Sequence, residues 1–118
     1  MRVPSSPLLF CAGAWLALEH NQDQWIQADL IATYEIESVI TKKRHRADFV
    51  ASYYVSYKEV GRGWVTISTL FEGNDAISST KINELPDNIV TRYIRLSPNS
   101  WSTRIAMRFD VTGCAVPG

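Results

Sequence analysis

From residue 24 onward, apolar and polar residues largely alternate along the chain. The clearest example is the segment 104–112, in which Ile105, Met107, Phe109 and Val111 alternate with smaller or polar residues. Because successive side chains of a strand point to opposite faces, this pattern predicts a strand whose four apolar side chains face a core.

Several other segments combine β-branched and aromatic residues in short runs between turn-forming residues, which is typical of strands. They are residues 25–30, 36–41, 49–58, 64–71 and 89–96. The polar segment 76–88 is predicted to be a long loop, and Pro98 is predicted to end the strand before it. No window shows a helical stripe, so the pattern predicts an all-β sandwich or barrel.

The composition fits one globular domain. The chain has 118 residues, of which 46% are hydrophobic and 20% charged, and its 12 basic and 12 acidic residues cancel. This balance gives no global reason to expect a nucleic-acid partner. The longest apolar stretch, residues 8–18, is too short to span a bilayer. It has the length of a signal-peptide core, but it also fits the start of the domain.

The chain has two cysteines, Cys11 and Cys114, near its opposite ends. A bridge between them would enclose almost the whole domain, and two separate buried thiols are the alternative. Neither cysteine belongs to a Cys-x-x-Cys motif, and two cysteines cannot form a structural zinc site alone. We predict no cofactor, and the pattern leaves a calcium requirement open because no acidic cluster has clear ligand spacing.

Motifs that carry catalysis are absent from the sequence, which has no nucleophile elbow, paired-histidine helix or phosphate loop. Its two histidines, His20 and His45, fall in predicted loops, where a single histidine is usually solvated. The sequence therefore predicts a protein that is not an enzyme.

One local feature stands out against the neutral total charge. Residues 42–46 read Lys-Lys-Arg-His-Arg and lie between two predicted strands. Such a tip produces a local positive field that attracts phosphate, sulfate or carboxylate groups. A solvated turn and a nuclear-localisation signal are the alternative interpretations.

Several segments, taken in order and spacing, resemble the discoidin family, also called the coagulation factor V/VIII type C domain family. They are Gln24 to Leu30 (QWIQADL), residues 39–41, Tyr53 to Tyr57 followed by Trp64, residues 71–74 (FEGN), residues 91–98 (TRYIRLSP) and the closing strand 105–114. The chain departs from the family pattern at Ala28, where valine is usual, and at Ile31, where glycine is usual. The cysteine that opens a family domain and the residues after it are also missing, since Cys11 lies too close to Trp15 to match.

The resemblance implies an all-β, discoidin-type distorted jelly-roll β-sandwich that lacks the first strands. It divides the chain into an atypical or signal-like N-terminus (1–12), the domain (13–114) and a tail (115–118). It also implies that Cys11 and Cys114 are not paired. Gln27, Asp29, Arg92 and Arg108 match structural positions and are expected to be paired polar groups.

Members of this family are extracellular and bind ligands with loops at one end of the sandwich. The resemblance therefore implies a non-catalytic module that binds a cell-surface glycan, an anionic phospholipid or an extracellular protein in adhesion or matrix. The candidate ligand-binding residues combine the basic tip with its aromatic and histidine neighbours: Trp15, His20, Lys43, Arg44, His45, Arg46 and Phe49.

Three points stay open: the class of ligand, a role as part of a larger enzyme, and whether the chain is functional at all. Because only Phe49 is apolar in the 42–49 tip, a glycan or protein ligand is favoured over lipid. The chain also fits an accessory carbohydrate-binding module of a larger hydrolase. A fragment without function that does not fold alone is the third interpretation.

Overall fold

A computed structural model of the chain describes residues 6–8, 15–43, 47–77 and 79–116. All regular secondary structure in these ranges is β, and no helix there is long and apolar enough to cross a membrane. The strands are β1 (Ser6–Leu8), β2 (Trp15–Leu16), β3 (Ile26–Lys42), β4 (Phe49–Lys58), β5 (Val65–Thr66), β6 (Phe71–Glu72), β7 (Thr80–Ser102) and β8 (Ala106–Ala115).

The strands pair in the order β1-β8-β3-β7-β4-β5, with β2 also on β8 and β6 also on β4. Every pairing is antiparallel. The long strands β3 and β7 bend and contribute to both layers of a β-sandwich. The start of β3 and the end of β7 pair in the layer that contains β4, while the end of β3 and the start of β7 pair beside β8. This arrangement confirms the predicted jelly-roll sandwich.

The bend in β3 lies at an interruption of its pairing with β7, between Asp29 and Tyr34. Ile31 has a φ of 70° here, in the left-handed region that β-branched residues rarely adopt. The Oδ1 of Asp29 accepts a hydrogen bond from the backbone N–H of Ile31 at 2.8 Å, which holds the turn. Ile31 thus stands where the family usually has glycine, and it adopts the backbone conformation that favours glycine.

The core lies between the layers and includes the inward side chains of β8. Ile105, Met107, Phe109 and Val111 are all buried, which confirms the prediction for this segment. Burial of each large apolar side chain contributes about 1.5–3 kcal/mol, so the four are a substantial part of the stability.

Three local predictions were wrong. Residues 80–88 belong to β7 rather than to a loop, because Thr80 to Glu84 pair with the end of β3. The predicted strand 64–71 contains only the short β5 and the first residue of β6. The strand also continues through Pro98, which is tolerated because the pairing with β4 shifts register there.

The pairing of the cysteines stays a prediction, because Cys11 lies outside the described residues. Cys114 is buried, and its Sγ lies 3.9 Å from Oε1 of Glu37. Ser6 to Leu8, which fall in the segment that the sequence sets apart from the domain, pair with Val111 to Gly113 of β8.

Candidate functional site

Several connections between strands meet at one end of the sandwich. Lys42, at the end of β3, pairs with Thr80 and Arg108, and Phe49, at the start of β4, pairs with Ser102. Antiparallel pairing therefore brings the intervening connections together. We call this region the loop end; its described residues are 17–25, 43, 47–48, 73–77, 79 and 103–105.

Lys43 joins two of these connections. Its Nζ donates to the carbonyl oxygens of Asp75 at 3.1 Å and Ala76 at 3.2 Å, and it lies 5.7 Å from the ring centroid of Phe49. Its backbone N–H donates to the carbonyl of Ser79 at 3.3 Å. Lys43 therefore anchors the base of the basic tip on residues 73–79 and keeps a positive charge there.

Phe49 packs against the Lys43 side chain. Its side chain is only 8% exposed, so its ring lies under the Lys43 ammonium rather than at the tip of the connection. Arg44, His45 and Arg46 lie outside the described residues, and their role as ligand contacts stays a prediction.

Trp15 opens β2, and His20 lies on the connection that follows it. Trp15 pairs with Met107 of β8, and its half-buried side chain packs against the core. His20 is exposed, and its Nδ1 accepts a hydrogen bond from the backbone N–H of Ile105 at 3.0 Å. Both side chains thus hold residues 15–20 against β8 and the turn before it.

Two exposed apolar side chains at the loop end were missed in the sequence analysis. Leu18 is 100% exposed and Ile77 is 94% exposed. The turn that presents Ile77 is held by a hydrogen bond from its N–H to Oδ1 of Asp75 at 2.9 Å. A single apolar residue in an otherwise polar connection was the available sequence signal.

A groove of about 510 Å³ adjoins the loop end, between β4 and β6 on one side and the start of β7 on the other. Asn74 lines it and is only 2% exposed. The Nδ2 of Asn74 donates to the carbonyl of Thr41 at 3.1 Å, whereas its Oδ1 is buried with no hydrogen-bond donor among the described residues. The Oγ1 of Thr41 is likewise buried without a hydrogen-bond partner among the described residues, although buried polar atoms are normally satisfied.

Away from the loop end, polar side chains on the outer face of the β4 layer are paired as predicted for structural positions. The guanidinium of Arg92 donates to both carboxylate oxygens of Asp29, at 2.9 and 3.1 Å. This hydrogen bonding from Arg92 lowers the pKa of Asp29 below its ordinary value. Arg95 donates to Oε1 of Gln27 at 2.8 and 3.3 Å, whereas Arg108 is exposed.

Arg95 also lies between two tryptophan rings. Its guanidinium carbon is 4.0 Å from the ring centroid of Trp25 and 3.9 Å from that of Trp64. These two rings come from either side of β7, so the stack links the start of β3 to the connection after β4. The geometry indicates a stabilising role for this arginine.

No group of three or more histidine, cysteine or acidic side chains that could hold a metal ion occurs in the ranges that the structure describes. The geometry brings together a basic connection, exposed apolar tips and a groove, which are features of a binding surface.

Comparison with known proteins decides the family. The sequence model of the F5/8 type C domain family matches residues 8–111 of this chain. The chain belongs to the F5/8 type C domain family. Its relatives include neuropilin-1 of Rattus norvegicus, 29% identical over 97% of this chain, and coagulation factor V of Bos taurus, 31% identical over 86%. The chain spans 13% of the length of the first and 5% of the second.

Solved structures agree with this F5/8 type C assignment at the level of the fold. Discoidin II of Dictyostelium discoideum matches with a TM-score of 0.78 and 20% identity, over 88% of this chain and 42% of that one. CBM32-1 from a family 31 glycoside hydrolase of Clostridium perfringens matches with a TM-score of 0.69 and 15% identity, over 83% of this chain and 75% of that one.

Proposed function

We propose that this F5/8 type C domain is a non-catalytic extracellular binding module whose loop end binds an acidic ligand. Arg44 and Arg46 are its main contacts, and Lys43 and His45 add positive charge. The observation that supports this proposal is the position of Lys43, which ties the basic connection to residues 73–79 at the end where the connections meet.

The chemistry of arginine fits this role. Its planar guanidinium holds a sulfate, phosphate or carboxylate through two parallel hydrogen bonds. An exposed ion pair contributes only about 0.2–1 kcal/mol, so several contacts must act together. Trp15 in β2 and His20 on the connection after it are the proposed neighbours of the bound group.

The proposal is tested with the double variant Arg44→Ala/Arg46→Ala. Binding to sulfated and carboxylated glycan arrays and to vesicles containing phosphatidylserine is measured at two salt concentrations. We expect weaker binding by the variant, an unchanged melting temperature, and loss of parental binding as salt screens charges over about 8 Å.

A matched control removes two basic residues from the far end of β4. The variant Lys58→Ala/Arg62→Ala changes the total charge equally and is expected to bind as the parent does. If Arg44→Ala/Arg46→Ala bound every probe as well as the parent, the basic connection would be only a solvated turn and the proposal would fail.

A membrane surface is the second candidate ligand, favoured by the exposure of Leu18 and Ile77 at the loop end. Apolar tips beside basic residues can insert among lipids while the cations contact anionic head groups. If lipid is the ligand, Leu18→Ser/Ile77→Ser weakens vesicle binding and leaves glycan binding unchanged. An accessory carbohydrate-binding module is the corresponding candidate if only the glycan arrays respond.

A further inference from the structure

The bends of the two long strands form the end of the sandwich opposite the loop end. β3 and β7 both begin and end beside the loop end, so the middle of each strand lies at the other end of the molecule. β4 ends there too, at Lys58, whose N–H and carbonyl both bond to Oγ1 of Thr91 in β7, at 3.1 and 2.8 Å. We call residues 30–33, 59–63 and 86–92 the far end.

Three exposed apolar side chains lie close together at the far end. Ile31 is 75% exposed, Val60 64% and Val90 38%. They belong to neighbouring elements, because β7 lies between the bend of β3 and the end of β4. Two strand spacings of about 4.8 Å separate these outer elements. Single exposed apolar residues are common on protein surfaces, whereas a group of them indicates a contact surface.

Ile31 occupies this surface in an unfavourable conformation. Its φ of 70° is one that a β-branched residue adopts only at an energetic cost, and its exposed side chain contributes little to the core. Glycine, which the family usually has here, would avoid both disadvantages. Folding of the single chain therefore gives no reason for this isoleucine, whereas a contact made by its side chain with another molecule does.

The charge of the far end favours a second copy of the chain as that molecule. The far end contains two acidic residues, Glu59 and Asp87, and two basic residues, Arg62 and Arg92. Arg62 lies 3.6 Å from Glu59, and Arg92 is paired with Asp29. A strongly charged partner would gain little here. Two copies would not repel each other, since the far end and the whole chain are both neutral.

We propose that two copies of the chain associate through their far ends in a two-fold contact with Ile31, Val60 and Val90 at its centre. In such a contact the same surface of each copy meets its equivalent, which a neutral surface with an apolar centre permits. The apolar group is small beside the about 800 Å² per partner of a standard interface, so the dimer is weak, with a Kd on the order of 0.1 mM.

A dimer of this kind has its two loop ends facing away from each other. One dimer therefore connects two ligand-bearing surfaces. This consequence rests on the proposed function of the loop end, whereas the association itself does not.

The test is sedimentation equilibrium of the chain at concentrations below and above the expected Kd. We expect the average mass to rise from that of one chain towards twice that value. Ile31→Asn should weaken association about tenfold or more, because a polar side chain replaces the central apolar one. Asparagine tolerates a positive φ, so this variant keeps the bend of β3. Val60→Asp, which places like charges opposite each other in the dimer, should also prevent association.

The matched control is Ile77→Asn, which makes the same change at the 94% exposed isoleucine of the loop end and should leave the dimer unchanged. Arg44→Ala/Arg46→Ala should also dimerise as the parent does, which separates this proposal from ligand binding at the loop end. Amide chemical shifts that change with concentration should be confined to the far end.

The proposal is overturned if the chain stays monomeric at about ten times the expected Kd. It is also overturned if Ile31→Asn and Val60→Asp, each folded by circular dichroism, dimerise as the parent does. If Ile77→Asn abolished association instead, the contact would lie at the loop end and the far end would have no part in it.

Discussion

Replacement of Ile31 by glycine tests whether the bend in β3 stores backbone strain. Ile31 has a φ of 70°, and its side chain is 75% exposed, so little apolar contact depends on it. The bond from its N–H to Asp29 involves only the backbone of residue 31 and survives the substitution. The change therefore acts mainly on the conformational preference of the chain.

The expected magnitude follows from opposing effects. Relief of the left-handed conformation stabilises the folded state by about 1–3 kcal/mol. The greater freedom of glycine in the unfolded chain costs about 0.5–1 kcal/mol. Loss of the small buried part of the side chain costs about 0.5 kcal/mol. Ile31→Gly should therefore change the free energy of unfolding by between a loss of about 0.5 kcal/mol and a gain of about 2 kcal/mol.

The matched control is Ile82→Gly, because Ile82 is also an exposed isoleucine in a strand but does not have a positive φ. It should lower the free energy of unfolding by about 1 kcal/mol. Urea unfolding followed by tryptophan fluorescence measures both variants. Equal destabilisation at the two positions would show that Ile31 carries no strain and that the reasoning is wrong.

Two further predictions concern the β4 layer. Arg95→Ala should lower the free energy of unfolding by about 2 kcal/mol, since it removes two cation–π contacts of about 0.5–1 kcal/mol each and the bond to Gln27. Arg95→Lys should recover less than half of that loss. If Arg95→Ala left the urea unfolding curve unchanged, the stack would have no stabilising role. Burial raises the pKa of Tyr53 from 10.0 to about 12, against an opposing hydrogen bond from Asn83. The stability that depends on the protonated Tyr53 side chain is thus complete below pH 10 and is lost as the pH rises through about 12. Between those values, Tyr53→Phe should lose less stability than the parent in thermal unfolding. Parallel stability curves for the two proteins would refute this.

Short-range pattern predicted much of the fold. The alternation of Ile105, Met107, Phe109 and Val111 identified the buried face of β8, because side chains alternate along any strand whatever it pairs with. The ordered motifs identified the family, and the basic run marked one connection of the loop end.

The pattern failed where pairing between distant residues decides the structure. Residues 80–88 resemble a loop in isolation because most of their exposed side chains are polar, yet they become a strand by pairing with the end of β3. Residues 26–30 and 36–41, predicted as parts of two strands, fall in one bent strand for the same reason. Local alternation cannot specify which strands become neighbours.

The sequence by itself determined the β class, the inward face of β8, the family and the charge of the basic connection. Only the tertiary structure decided that Lys43 is tied to residues 73–79 and that Asn74 lines a groove between the layers. It also decided that Trp25, Arg95 and Trp64 stack. These contacts join residues far apart in the chain, and their geometry follows from sheet register and bending, which no local pattern of side chains encodes.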